Sequence, residues 1–282
     1  MFPLSKILLP IDFSERSVGG ARYAIPLADH FHSELTLLHV ISPIDYPSPE
    51  VQAFNGDRRE KASKELDDFL CAALYHLNTR RILREGDPAE VIADQAAQDR
   101  SDLIMMPTHG YSPFRRLLLG SVTTKVLHDT ASCPVWTGAH VAQGPSAEGI
   151  KLRHIVCAVD LGPLSASVLR WAAGLAAEFK SRLTLLHVVP RLDSPGEGRY
   201  ADEWRERVLA DASEAIAKVE QIAGIHVESV VESGDVSKAV GVAASRLNAD
   251  LVVIGRGAAD NSRLRTSAYG IIRESPCPVV SV

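Results

Sequence analysis

Hydrophobic and polar positions fall into two alternating textures along this chain. Residues 7–11, Ile-Leu-Leu-Pro-Ile, form a short unbroken apolar run closed by Asp12, which fits a strand covered on both faces. Ser14 and Glu15 then offer a helix start, and Tyr23, Leu27 and Phe31 recur at helical spacing. The alternation continues. Residues 35–41 read as a strand. Residues 60–77 read as an amphipathic helix carrying Leu66, Phe69, Leu70, Ala73, Leu74 and Leu77. A polar-flanked strand follows at 80–84. Next comes a helix at 88–98, with Pro88 in its first turn where the missing N–H costs little. A strand at 103–106, a helix at 121–128 and a last strand at 134–137 complete the series.

The series is then written a second time. Leu35-Thr-Leu-Leu-His-Val40 returns as Leu183-Thr-Leu-Leu-His-Val188, and the same offset pairs Asp12 with Asp160, Ala24 with Ala172 and Phe31 with Phe179. It also pairs Gly86-Asp87 with Gly234-Asp235 and Asp102-Leu103 with Asp250-Leu251. Near the end the register changes: Cys133-Pro134-Val135 matches Cys277-Pro278-Val279, so the second copy has lost four residues between about Gly257 and Pro276. Five strands and four helices in alternation predict an α/β fold in each copy. The expected form is a doubly wound, five-stranded parallel sheet with helices on both faces. A segment rich in Gly, Ala, Pro and Ser reads as the linker, giving domains at 1–140 and 151–282 joined by 141–150.

Charge narrows the function classes. The net formal charge is −5, from 30 Lys+Arg against 35 Asp+Glu. Before Pro145 stand 14 basic and 18 acidic residues, and after it 16 and 17, so neither copy hides the basic surplus of a nucleic-acid binder. No apolar run reaches the roughly 18–20 residues of a membrane helix, and the N-terminus reads as a strand rather than a signal peptide. Cys71, Cys133, Cys157 and Cys277 form no CxxC pair and read as small buried hydrophobes in a reducing, cytoplasmic setting. His39 and His187 read as satisfied strand-end imidazoles. No metal site is expected.

Candidate chemistry sits where such sheets bind ligands, beyond the carboxyl ends of the strands at the reversal of winding. Pro10 and Asp12 close the first strand. After the fourth comes Pro107-Thr108-His109-Gly110, then nine residues, then Gly120-Ser121-Val122 opening a helix. Glycines let backbone amides approach an anion, and a helix start adds free N–H groups and the positive end of a dipole. Arg115 and Arg116 lie in the spacer and read as solvated. The same stretch also reads as a plain loop with Ser121 as helix N-cap.

Pro10-x-Asp12-x-Ser14, Leu-Leu-His39-Val40, Gly86-Asp87, the Gly110/Gly120-Ser121 spacing and Cys133-Pro134-Val135 together resemble the universal stress protein family, in its tandem form, over nearly the whole chain. The resemblance implies the adenine nucleotide alpha hydrolase-like fold and an ATP-binding stress-response or signalling module, with Mg²⁺ as candidate companion and no catalytic residue. It implies that Asp12 and the Val40 backbone hold the adenine end, and that Gly110, Gly120, Ser121 and Val122 surround the phosphates. Pro10 lines the site, and Thr108 is the candidate to compensate for Pro107, which replaces the family's first motif glycine and brings no N–H. The second copy keeps Asp160 and Val188, but Ala258 and Arg265 fall where the family places a glycine and the Ser121 equivalent. The resemblance also implies that the last strands pair the two domains as an intramolecular pseudo-dimer, with a homodimer of chains as a further expectation. A non-nucleotide-binding interaction scaffold and a weak ATP hydrolase are the alternatives.

Overall fold

The computed structural model describes residue 2 and residues 4–42, 49–107, 120–130, 133–138, 149–189, 199–256 and 262–282. The chain divides into two compact units, built on Pro3–Gly138 and Lys151–Val282.

In the first unit β1 (Lys6–Pro10), α1 (Glu15–Phe31), β2 (Glu34–Ile41), α2 (Pro49–Asp68), the single turn α3 (Cys71–Leu74) and β3 (Thr79–Glu85) come first. They are followed by α4 (Pro88–Asp99), β4 (Leu103–Pro107), α5 (Ser121–Asp129) and β5 (Val135–Gly138). The strand order is β3-β2-β1-β4-β5, and every neighbouring pair is parallel. Ile7, Leu8, Leu9, Leu35, Leu37, Leu38, Leu103 and Ile104 are all at most 1 % exposed. That explains why these strands read as continuous apolar runs: both faces of the sheet are covered. β3 is the exception, with no fully buried residue, as suits a polar edge.

The second unit repeats the plan with β6 (His154–Val159), α6 (Ser165–Phe179), β7 (Arg182–Val189), α7 (Arg199–Ala223) and β8 (Glu228–Ser233). Then come α8 (Val236–Arg246), β9 (Leu251–Ile254), α9 (Ser262–Glu274) and β10 (Val279–Ser281). Its order is β8-β7-β6-β9-β10, again parallel. The right-handed crossovers expected of parallel strands put the helices before and after the reversal on opposite faces. Consistently, α4 packs on α5, α6 on α7, and α8 on α9.

Several repeated residues turn out to be scaffold. Asp102 Oδ2 accepts the amides of Ser5 and Lys6 at 2.8 and 2.9 Å, and Asp250 Oδ2 accepts those of Arg153 and His154 at 2.7 and 3.0 Å. Each carboxylate thus ties the start of one central strand to the start of the next. Gly86 and Gly234 hold φ of +143° and +124°, and the aspartates that follow cap α4 and α8. Asp87 accepts from Ala89 and Glu90 N, and Asp235 from Lys238 N.

Two expectations are corrected. The helix expected over 60–77 ends at Asp68 after starting at Pro49, because Leu70 takes a left-handed φ of +52°. There Arg81 caps the chain, its guanidinium donating to the carbonyls of Leu66 and Phe69 at 2.9 and 3.0 Å. The break carries Cys71 to the surface, so only Cys133, Cys157 and Cys277 are buried thiols. Burial pushes Cys157 up to about 12 and Cys277 to about 11, which leaves both as inert hydrophobes.

Candidate functional site

In the first unit the winding reverses between β1 and β4, so the site is built from the residues just beyond the carboxyl ends of β1, β2 and β4. Pro10 ends β1 buried, in register with Leu38. Asp12 comes next on a tight turn in which Phe13 adopts φ +61°. The turn is held by the Asp12 carboxylate. Oδ1 accepts the Ser14 amide at 3.1 Å and the hydroxyls of Ser14 and Ser17, and the Ser17 oxygen in turn accepts the Asp12 amide at 2.9 Å. Ser14 also caps α1 through the Ser17 amide. All of these carboxylate bonds fall on Oδ1. Among the described residues Oδ2 accepts none, which leaves it available at the carboxyl edge of the sheet.

Val40 supplies the second element. Hydrogen-bonding direction alternates along a strand. Ile11 N donates to Leu38 O at 2.9 Å, which turns Leu38 toward β1, and Gly86 N donates to Ile41 O at 3.1 Å, which turns Ile41 toward β3. Val40 therefore turns back toward β1, whose last paired residue is Pro10. Its N–H and C=O emerge past that strand end with no partner among the described residues, one donor and one acceptor side by side. His39 steadies this edge. Its Nδ1–H donates to the Ile11 carbonyl at 2.8 Å, and its ring lies 4.3 Å from that of Phe13 at 33°.

The third element is the start of α5. Gly120 is its N-cap, with φ −60° and ψ 144°, and Thr124 N closes the first turn on Gly120 O at 2.9 Å. Ser121 is thus the first helical residue and not the cap. The amides of Ser121, Val122 and Thr123 have no acceptor among the described residues, as a helix start dictates. Thr123 Oγ1 donates to the Pro107 carbonyl at 3.0 Å and pins this turn to the end of β4. Three amides and the positive end of a dipole therefore face the reversal point, a setting suited to an anion. Thr108 and Gly110 lie outside the described residues, as do His109, Arg115 and Arg116.

Sequence reasoning named Pro10, Asp12, Val40, Gly120, Ser121 and Val122, and these stand at the ends of the three elements that meet at the reversal. It missed Ser17, Phe13 and Thr123. Ser17 was findable, since the offset that pairs Asp12 with Asp160 also pairs Ser17 with Ser165. The positive φ of Phe13 carries no residue signal, because its counterpart Leu161 adopts +60° with an equally unsuited side chain.

The second unit repeats the turn. Asp160 Oδ1 accepts the Gly162 amide and the Ser165 hydroxyl, both at 2.9 Å, and His187 Nδ1–H donates to the Val159 carbonyl at 2.9 Å. Above it opens a cavity of about 620 Å³ lined by Val159, Asp160, Val168, His187, Val188 and Ile254 among others. Among the described residues no three metal-ligating side chains cluster, and no helix is long and apolar enough to cross a membrane.

The universal stress protein family model matches this chain twice, at residues 3–137 and 151–282. A universal stress protein of Mycolicibacterium smegmatis is 26% identical over 297 residues, covering 98% of this chain and 96% of its own length. One from Methanocaldococcus jannaschii is 29% identical over 137 residues, 46% of this chain and 79% of its own. Among solved structures, a universal stress protein from Archaeoglobus fulgidus superposes with a TM-score of 0.68 at 24% identity, covering 99% of this chain and 96% of that one. The fold is the adenine nucleotide alpha hydrolase-like α/β fold, present twice. With both halves matched, the chain belongs to the universal stress protein family and is a tandem member of it.

Proposed function

We propose that this chain is an ATP-binding stress-response module of the cytoplasm, with the nucleotide held in the first repeat. The observation that carries the reading is the convergence at one reversal point of two unlike sets of groups. On one side stand the Val40 N–H and C=O and the Asp12 Oδ2, a donor and two acceptors suited to the edge of an adenine ring, which offers both ring-nitrogen acceptors and an amino donor. On the other stand the amides of Ser121, Val122 and Thr123, suited to phosphate oxygens. Gly120 brings the backbone close to the phosphates, and Gly110 and Thr108, outside the described residues, are assigned to the phosphates by the family resemblance. Pro10 closes the floor. Mg²⁺ is its natural companion on the phosphates. The reading assigns no catalytic residue: binding acts by changing the protein's shape or partner contacts.

Calorimetry with ATP, AMP and cyclic AMP tests this on the wild type, Gly120→Asp and Pro107→Gly. ATP binds the wild type. Gly120→Asp puts a carboxylate against the phosphates and abolishes binding. Pro107→Gly restores an N–H and a flexible turn and tightens it. Unchanged affinity in both variants sinks the reading, and no binding at millimolar ATP leaves an interaction scaffold.

A further inference from the structure

We propose that the break between α2 and α3 is coupled to the Asp12 turn, with Arg81 as the positioning residue that acts through it. What this means for a nucleotide rests on the reading of Asp12 as part of the ATP site; the coupling itself does not. The two repeats join the same helix to the same strand differently. Ala62 and Leu66 are buried on α2 as Ala212 and Ile216 are on α7. The strands that follow match in another register: Arg80 and Glu228 stand opposite the equivalent Thr36 and Thr184. The stretch from Leu66 to Arg80 is therefore two residues longer than that from Ile216 to Glu228, and the break takes up the excess. In the second repeat α7 runs unbroken to Ala223 and ends on Gly224, where a φ of +71° suits a glycine. In the first the left-handed residue is Leu70, whose side chain disfavours that backbone.

Arg81 holds that backbone in place. Its guanidinium donates to the carbonyls of Leu66 and Phe69, at the stopped end of α2, where a cation also meets the negative end of the helix dipole. It reaches the Cys71 sulfur as well, at 3.5 Å, so one side chain spans both sides of the left-handed step. What the break positions is Phe69. Its ring stands 6.0 Å from that of Phe13 at 60°, an edge-to-face contact, and the Phe13 ring in turn lies against His39. Phe13 is the residue held at φ +61° beside Asp12. These parts are missing together from the second repeat. Leu161 and Ser229 stand where the first has Phe13 and Arg81, and no residue from 213 to 223 is aromatic. Yet Leu161 keeps a φ of +60°, so the rings are not what makes the turn possible. They tie it to the break. Such a tie runs both ways: a ligand that steadies the Asp12 turn steadies α3, where Cys71 and Tyr75 stand exposed.

The test is amide hydrogen exchange on the full chain without nucleotide, read at Asp12 and Ser14, whose N–H groups are held inside the turn. Arg81→Gln removes the forked cap and speeds exchange at residues 69–74 and, with them, at Asp12 and Ser14 by about fivefold or more. Phe69→Leu keeps the capped carbonyl but cuts the ring contact. It leaves residues 70–74 at their wild-type rates and speeds the turn to the same degree. In the double variant the turn exchanges no faster than in either single one, as a shared path requires. The Gly162 amide, which closes the second repeat's turn on Asp160, keeps its rate throughout. A melting curve shows whether each variant is folded, and Phe69→Leu carries the test if Arg81→Gln is not. An Arg81→Gln effect confined to residues 66–74 overturns the coupling. So does a Phe69→Leu chain with wild-type exchange at Asp12 and Ser14, or a double variant in which the two effects multiply. By calorimetry both single variants bind ATP about fivefold more weakly, and unchanged affinity in both overturns the control of the site by the break. ATP failing on the wild type while the exchange effects hold overturns the first-repeat reading and leaves the coupling standing.

Discussion

The Asp12 and Asp160 turns share a carboxylate oxygen that accepts an amide two residues on and a serine hydroxyl five residues on, although α6 starts without the serine cap of α1. The helices that come after β4 and β9, by contrast, begin three residues apart. Both turns use one carboxylate oxygen to fold the chain and hold the other back, and both are backed by a histidine that donates to the carbonyl before the aspartate. At the other wall, α5 starts at a glycine cap with three amides free, whereas α9 runs on past the equivalent place. A helix offers free donors only in its own first turn, so a start three residues earlier moves the free amides back along the chain by the same step. The carboxylate that folds the turn is common to both repeats, and the start of the helix after the fourth strand is not.

The sharpest break of that contrast is Gly120→Asp. Like charges set against each other at a closed anion site cost several kcal/mol, so ATP affinity drops by about 100-fold or more. Placing aspartate at the matching residue of α9, Leu264→Asp, leaves ATP affinity unchanged if the nucleotide is held in the first repeat as proposed. Calorimetry on the two variants compares them directly, and an equal loss in both would end the distinction between the repeats.

Next in size is a test of the shared scaffold. Leu37 and Leu185 are equivalent and wholly buried. Replacing either by alanine opens a cavity and costs about 2–5 kcal/mol, by denaturant unfolding with a probe in each unit. The two losses match to within about 1 kcal/mol if the cores are as alike as their registers. A large disparity would show that the second repeat has relaxed in its core as well as at its loop.

The same division explains what was legible in the sequence. Strands buried on both faces announce themselves as apolar runs, and the Leu-Thr-Leu-Leu-His-Val copies gave register, order and domain plan together. The places of Asp12 beyond β1 and Val40 near the end of β2 were legible for the same reason, while the roles proposed for them came from the family resemblance alone. The break at Leu70 was not, because it is stabilised by Arg81, a residue on another element, while the local pattern through Leu74 and Leu77 still reads as helix. Nor was the early start of α9. The missing four residues were visible in the sequence, but a deletion shows length and not where the helix begins again. Thr123 escaped because a threonine inside a helix gives no sign that its hydroxyl reaches a neighbouring strand.

A smaller contrast lies in the paired glycines. At Gly86 a Cβ would stand 2.9 Å from Val91 Cγ2, and the backbone φ is +143°; at Gly234 the φ is +124° but nothing lies within 4 Å. Gly86→Ala therefore meets both strain and a clash and costs about 2–3 kcal/mol, whereas Gly234→Ala meets strain alone and costs about 1–2 kcal/mol. Urea midpoints rank the two, and the reverse order would mean that the α4 and α8 caps are not equivalent.

The smallest expected effect concerns those caps. The Glu90 amide and the Lys125 ammonium hold the Asp87 carboxyl below the usual carboxylate range. Lys125 Nζ lies 3.2 Å from Asp87 and 2.9 Å from Glu90, and the second repeat has Tyr269 in its place. A lowered folded-state value means that the ionised cap stabilises above the unfolded pKa of about 3.9, and that the contribution fades as pH falls through the folded value. Lys125→Tyr gives the first repeat the second's residue and moves the Asp87 titration upward, toward the ordinary range. Carboxyl-detected NMR tracks it directly. The group is exposed, so salt weakens the same shift in the wild type. A titration that ignores both the substitution and salt would assign the lowering to the Glu90 and Ala89 amides alone, and would remove Lys125 from the differences between the repeats.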